Sequence, residues 1–328
     1  MSNLTQFGND LYTGKKSVNF VGRRKLWYTI AIVSMIISIA IPVIGGGFNF
    51  GIEFRGGSQF QITNTQTIEQ DLAQEAVDEV VAGEVVRVTT VGDNGVRVQT
   101  DQLSDDETRE VASALAAAYG VTEDDVATSF VGPSWGADIT DQAIRGLVVF
   151  LALAAIVMAL YFRTWKMALA AMLTLAHDLI LTAGVYALAG FEVTPAAVIG
   201  FLTILGFSLY DTVVVFDKIR ENTAELGADS RSTFAEAVNL AVNQTLVRSI
   251  NTGVVAALPV AAILFLGAFA LGADTLRDIS LALLVGIIVG TYSTVFIAAP
   301  IYAHLRENEK DISARDRRTI AAREAAVE

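Results

Sequence analysis

Six long apolar runs constrain this 328-residue chain more than any other feature: Trp27–Gly47, Gln142–Phe162, Met167–Gly190, Thr194–Phe216, Leu246–Leu271 and Leu276–His304. A helix of ~20 residues at ~1.5 Å per residue covers the ~30 Å hydrocarbon core of a bilayer. Inside that core only a helix of this length satisfies its own backbone donors and acceptors. The chain therefore reads as an α-helical integral membrane protein with six transmembrane helices, and its mean hydropathy of +0.49 agrees. Trp27–Gly47 is long enough to span a bilayer, whereas a secretory signal peptide has a shorter apolar core, so it is expected to stay as a retained signal anchor.

Basic residues orient the spans. Lys15, Lys16, Arg23, Arg24 and Lys25 precede the first span, Arg163 and Lys166 lie between the second and third, and Lys218, Arg220 and Arg231 follow the fourth. Such segments stay in the cytoplasm. Residues 1–26 and the Arg-rich tail 305–328 then lie inside, and residues 48–141 outside. That outer segment carries 18 Asp and Glu against four Arg, which reads as a solvated surface.

Within the outer segment, Ser58–Thr63 alternates like a strand, and Thr67–Val81 places Leu72, Ala76 and Val80 on one helical face, with Thr67 and Gln70 suited to a capping box. Val85–Val91 and Val96–Thr100 flank the turn Gly92-Asp93-Asn94-Gly95 and read as a hairpin. Ser104 with Glu107 opens a second helix with Val111, Leu115 and Ala118 inward, and Asp125–Val131 is a last strand. The order βαββαβ predicts a small α+β, ferredoxin-like sheet with both helices on one face.

Ionisable groups inside spans cost at least ~2.5–3.5 kcal/mol each and mark functional sites. Asp178 lies ~18 Å along the third span from Lys166, near the bilayer midplane, with His177 beside it. Asp211 lies ~14 Å from Arg220 along the fourth span, a depth compatible with Arg248 near the inner end of the fifth. A carboxylate facing a guanidinium lowers the insertion cost of both. The arrangement serves either as a static pair or as a proton switch, since hydration and distance to the arginine both alter a carboxylate's proton affinity. His177 and Asp178 read as a relay or as a helix-to-helix contact, and Asp217 beside Lys218 and Arg220 as a locally paired acid. Small residues at helical spacing, Ser249, Gly253, Ala257 and Ala261 in the fifth span and Ala282, Gly286, Gly290 and Thr294 in the sixth, are taken as packing stripes.

The stretch Gly206-Phe207-Ser208-Leu209-Tyr210-Asp211-Thr212-Val213-Val214-Val215-Phe216-Asp217-Lys218-Ile219-Arg220-Glu221-Asn222 closely resembles the fourth-span signature of the SecF family of bacterial protein-export subunits. Phe50-Gly51-Ile52-Glu53-Phe54-Arg55-Gly56-Gly57, Val131-Gly132-Pro133-Ser134-Trp135-Gly136 and Arg248-Ser249-Ile250-Asn251-Thr252 resemble it as well. Glu53, Tyr210 and Lys218 stand where the family often has Asp, Asn and Arg. The sister SecD chains have a much larger outer domain, so the short segment here favours SecF. Gly56 and Gly57 keep a plain structural reading, a tight exit from the first span into the first strand.

The resemblance implies a resistance-nodulation-division membrane subunit that pairs with SecD, six spans each, and associates with the SecYEG channel, with YajC as a further candidate partner. It would use the proton motive force to promote late steps of preprotein export across the bacterial cytoplasmic membrane. Asp211 would carry the proton and Arg248 would be its electrostatic partner. Lipid would surround the chain, with no nucleic acid, cofactor or metal and no enzymatic reaction. The residues agree with that expectation: no cysteine, two histidines, and neither a nucleotide loop nor a nucleophile arrangement. The competing reading is a self-contained small-molecule efflux transporter of the same superfamily, which would want an internal repeat of the six-span unit.

Overall fold

The computed structural model describes residues 3–92, 94–227, 230–270 and 274–326. In chain order it contains α1 (Asn3–Tyr12), α2 (Arg24–Ile44), β1 (Asn49–Phe50), α3 (Ile52–Arg55), β2 (Gly57–Ile62), α4 (Gln70–Val80), β3 (Arg87–Val91), β4 (Gly95–Thr100), α5 (Asp105–Tyr119), β5 (Val126–Val131), α6 (Pro133–Phe162), α7 (Trp165–Leu188), β6 (Glu192–Val193), α8 (Pro195–Ala224), α9 (Phe234–Leu264), α10 (Asp274–Ser293), α11 (Ala299–Arg306) and α12 (Lys310–Ala325). Asp93 of the predicted turn and Leu271, the predicted end of the fifth span, lie outside the described residues.

All six apolar runs are helices long and apolar enough to cross a membrane. Their ends differ from the expected ones because capping chemistry, not hydropathy, sets them. α9 begins at Phe234 rather than Leu246, since Thr233 Oγ1 accepts from the Glu236 N–H while Glu236 accepts from the Thr233 N–H. α8 begins after Thr194, whose hydroxyl accepts from the Ala197 N–H at 3.2 Å. α6 begins at Pro133, well before the apolar run at Gln142. The sixth span passes through a π-helical stretch at Thr294–Ala298 between α10 and α11.

The helices pack through the predicted small residues. A Cβ on Gly286 would lie 2.1 Å from Ile204, and one on Gly253 would lie 2.5 Å from Thr291, so α10 sits against α8 and α9 at backbone distance. Gly184 of α7 touches Ser38 of α2 as closely. At the end of the bundle holding both termini, Asn239 and Asn243 of α9 bond the backbone of Val18, Phe20 and Val21 through both amide atoms and clamp the N-terminal segment across the helix. There α12 crosses the start of α9, with Asp316 accepting from the Phe234 N–H.

The segment between the first two spans forms a four-stranded antiparallel sheet in the order β3-β4-β2-β5. Phe60, Ile62, Val96 and Val98 point to one face, where Ala73, Ala76 and Val77 of α4 and Val111, Leu115 and Tyr119 of α5 close the core. The Ser104–Glu107 capping box forms as the spacing predicts. The Thr67–Gln70 box does not, because α4 starts at Gln70 and Thr67 instead accepts from the Glu69 N–H. Gly56 and Gly57 follow the short helix α3 rather than the first span itself. Their φ values of 78° and 130° are open to glycine, and a Cβ on Gly57 would lie 2.4 Å from the Thr100 carbonyl. Gly136 meets the backbone of Phe54 and Gly56, so the motifs at 50–57 and 131–136 touch at the foot of the sheet. There, too, β1 pairs in parallel with β6 between the third and fourth spans.

Candidate functional site

Asp211 lies in the interior of the bundle, 3% exposed, on the face of α8 that meets α9. Its Oδ1 accepts from Ser249 Oγ at 3.0 Å, and its Oδ2 is buried without a hydrogen-bond partner. Arg248 acts on it electrostatically, yet among the described residues Ser249, not Arg248, makes the direct contact. One residue rotates the side chain ~100° around a helix. Ser249 thereby faces α8, while Arg248 faces a groove of about 880 Å³ between α1 and α9, lined also by Phe7, Asn9, Gln244 and Asn251. Tyr210 points outward, 57% exposed, away from the carboxylate it precedes.

His177 and Asp178 are each 2% exposed. His177 Nδ1 lies 3.1 Å from Asp178 Oδ1, and Ser208 Oγ of α8 donates to Asp178 Oδ2 at 2.5 Å. Asp178 thus ties α7 to α8 one turn from Asp211. With that carboxylate ionised, the histidine contact requires its Nδ1–H tautomer. Thr212 bonds Thr294 across to the π-helical stretch at 3.2 Å. At the far end of α8, Asp217 accepts from Tyr161 of α6, and Asn222 donates to Gln244 of α9. Arg220 is exposed, and a Cβ on Gly206 would meet open space. Gly51 donates its N–H to Val193, and the Glu53 side chain folds back over it.

A second buried polar cluster escaped the sequence reading. On the sheet face opposite the helices, Arg97 and Gln99 are 5% and 1% exposed and both donate to Glu192 Oε2, at 3.3 and 3.1 Å. Beside them Asp278 of α10 accepts from Thr194 Oγ1 at 3.1 Å and lies 3.6 Å from Arg277. Alternation in β4 shows that Arg97 and Gln99 share the polar face, and such a face is ordinarily solvated. Here the loop carrying Glu192 covers it. The adjacent Arg277 and Asp278 inside an apolar run were the available signal.

Comparison with known proteins places these features. The family described as "Protein export membrane protein SecD/SecF, C-terminal" matches residues 111–308, and the "SecD/SecF GG Motif" matches residues 43–67, which include Gly56 and Gly57. A protein translocase subunit SecF from Streptomyces coelicolor is 44% identical over 98% of this chain and 86% of its own length. One from Mycobacterium leprae is 41% identical over 95% of this chain and 69% of its own. The crystal structure of SecDF, a translocon-associated membrane protein from Thermus thermophilus, superposes with a TM-score of 0.78 at 30% identity. It covers 89% of this chain, which spans 39% of that longer chain. With its six spans, its double glycine and a near full-length match to named relatives, this chain is a multi-pass membrane protein that belongs to the SecD/SecF family and aligns with its SecF members.

Proposed function

We propose that this chain is the SecF subunit of a protein-export machine and that Asp211 is its proton-carrying group. The observation that supports this reading most directly is the burial of Asp211 in the fourth span with one carboxylate oxygen unpartnered. A carboxylate so placed costs free energy unless it exchanges a proton or a partner. Ser249 orients it, and Arg248 biases its charge from the groove beside it. A proton entering from outside would neutralise Asp211, weaken its attraction to Arg248 and let α8 and α9 shift. Its release inside would reset the pair. The available work is ~2.3 kcal/mol per charge per 100 mV.

In this reading residues 1–26 and 305–328 are cytoplasmic, and residues 48–141 form a ferredoxin-like module outside, following the basic-residue bias and the strand order β3-β4-β2-β5. A relative in which SecD and SecF are one chain supports SecD as the partner, and the SecYEG channel and YajC follow from the family's role. The emerging preprotein is the cargo. No covalent step is needed.

The test is Asp211→Asn in the intact complex. It should copurify with SecD while export supported by the proton gradient falls to the level without a gradient. Unchanged gradient-dependent export would refute the assignment.

A further inference from the structure

The geometry points to Asp178 as a second proton-binding residue, in series with Asp211 and joined to it through Ser208. This rests on Asp211 being the proton carrier proposed above. Ser208 precedes Asp211 by three residues on α8, so both side chains leave the same face and their depths differ by ~4.5 Å. Asp178 is 2% exposed, Ser208 1% and Asp211 3%, so the hydroxyl and both carboxylates form a desolvated polar cluster inside the bundle.

The hydrogen-bond pattern gives the cluster a direction. His177 holds Asp178 Oδ1, leaving Oδ2 aimed at Ser208; Ser249 holds Asp211 Oδ1, leaving Oδ2 unpartnered. Asp178 therefore presents Oδ2 to the Ser208 hydroxyl, and Asp211 keeps an oxygen without a bond. His177 is a positioning residue here, with its own Nε2 buried and unpartnered. On the side facing α10, Gly290 packs closely against Ser208: a Cβ there would lie 3.1 Å from its Cβ and 3.2 Å from its hydroxyl.

Among the described residues, the charged and titratable groups facing this cluster are few. α7 contributes His177 and Asp178, α8 Asp211, and α9 Arg248 through Asp211. After Arg24, Lys25 and Tyr28 at its start, the sequence of α2 has none, and between Asp278 and Tyr302 the sixth span has Tyr292 alone.

In a transfer step the Oδ2–H bond of Asp178 breaks as Ser208 Oγ takes the proton. Ser208 gives up its own hydroxyl proton, across one water, to Asp211 Oδ2. As many O–H bonds form as break, Ser208 and the water end neutral, and the negative charge has moved from Asp211 to Asp178. In the orientation proposed above, Asp178 lies nearer the outside, so the step runs inward.

The experiment compares Asp178→Asn, Ser208→Ala and Asp211→Asn in the SecD-containing complex reconstituted into liposomes, reading proton flux against outside pH and copurification of SecD. Asp178→Asn keeps an oxygen to accept from Ser208, so a purely structural contact survives it. The expected result is retained assembly, loss of one of two titration steps from the pH profile in Asp178→Asn, and a fall in flux of roughly tenfold or more in Ser208→Ala. If Asp211→Asn abolishes flux while both other variants behave as wild type, the relay is overturned and the Asp211 assignment stands. If Asp211→Asn itself keeps wild-type flux, the underlying assignment fails, and the relay with it. Should Asp178→Asn not assemble, Ser208→Ala decides alone by its flux.

Discussion

Replacing Arg97 with methionine removes a guanidinium 3.3 Å from Glu192 Oε2, in a pair whose side chains are each 6% exposed. Gln99, a neutral amide, also donates to that carboxylate oxygen, at 3.1 Å. A buried charge that loses its counter-charge costs about 3–5 kcal/mol. Because Arg97 belongs to β4 and Glu192 to the loop between α7 and α8, the cost falls on the docking of the sheet against the bundle. The amides that report it are those of the β1–β6 pair, where Gly51 donates to Val193 at 3.1 Å. At ~1.4 kcal/mol per tenfold, their hydrogen exchange in the reconstituted complex should accelerate by about two to three and a half decades. The double variant Arg97→Met, Glu192→Gln removes both charges of the pair and should recover the part of the loss that comes from Glu192, while the influence of Arg97 on the nearby Asp278 stays lost. Wild-type exchange in Arg97→Met, or a double variant no better than the single, would show that something else holds the sheet down.

Gly286→Ala should weaken the bundle by about 1–3 kcal/mol, since the new methyl group meets Ile204 at 2.1 Å, whereas Gly206→Ala in open space should leave the thermal stability of the isolated subunit unchanged or slightly raised. Ser104→Ala should cost ~1 kcal/mol in the exchange protection of the first turn of α5, and Thr67→Ala almost nothing for α4, because only the first residue caps a helix. The same cap makes α5 sensitive to acid. Bonds from the Ser104 hydroxyl and N–H hold the Glu107 carboxyl below its ordinary range. A depressed carboxylate stabilises the fold above its unfolded value, and that stability is lost as pH falls through the lowered one. Protection of those amides should decline across that acid interval in the wild type and stay flat in Glu107→Gln.

Much of this protein was legible in its residues. Apolar runs too long for anything but helices marked six spans, alternation marked the strands, and an acid inside the fourth run marked the candidate site. These are local signals, written in a few neighbouring side chains. Helix ends were less legible because a cap such as Thr233 lies well outside the apolar run it serves. What covers a given face is not local at all. The polar side of β4 looks the same in sequence whether water or Glu192 lies above it, and only the folded chain brings Glu192 there. Likewise, depth along two helices put Arg248 level with Asp211, but azimuth chose Ser249, because one residue turns a side chain by ~100°. The bond from Ser208 to Asp178 depends in the same way on how α7 rotates against α8. Sequence marked the long helices, the strands of the sheet and the charged groups inside apolar runs; tertiary structure decided which of them touch, because rotation and contact are properties of packed pairs of helices rather than of either one.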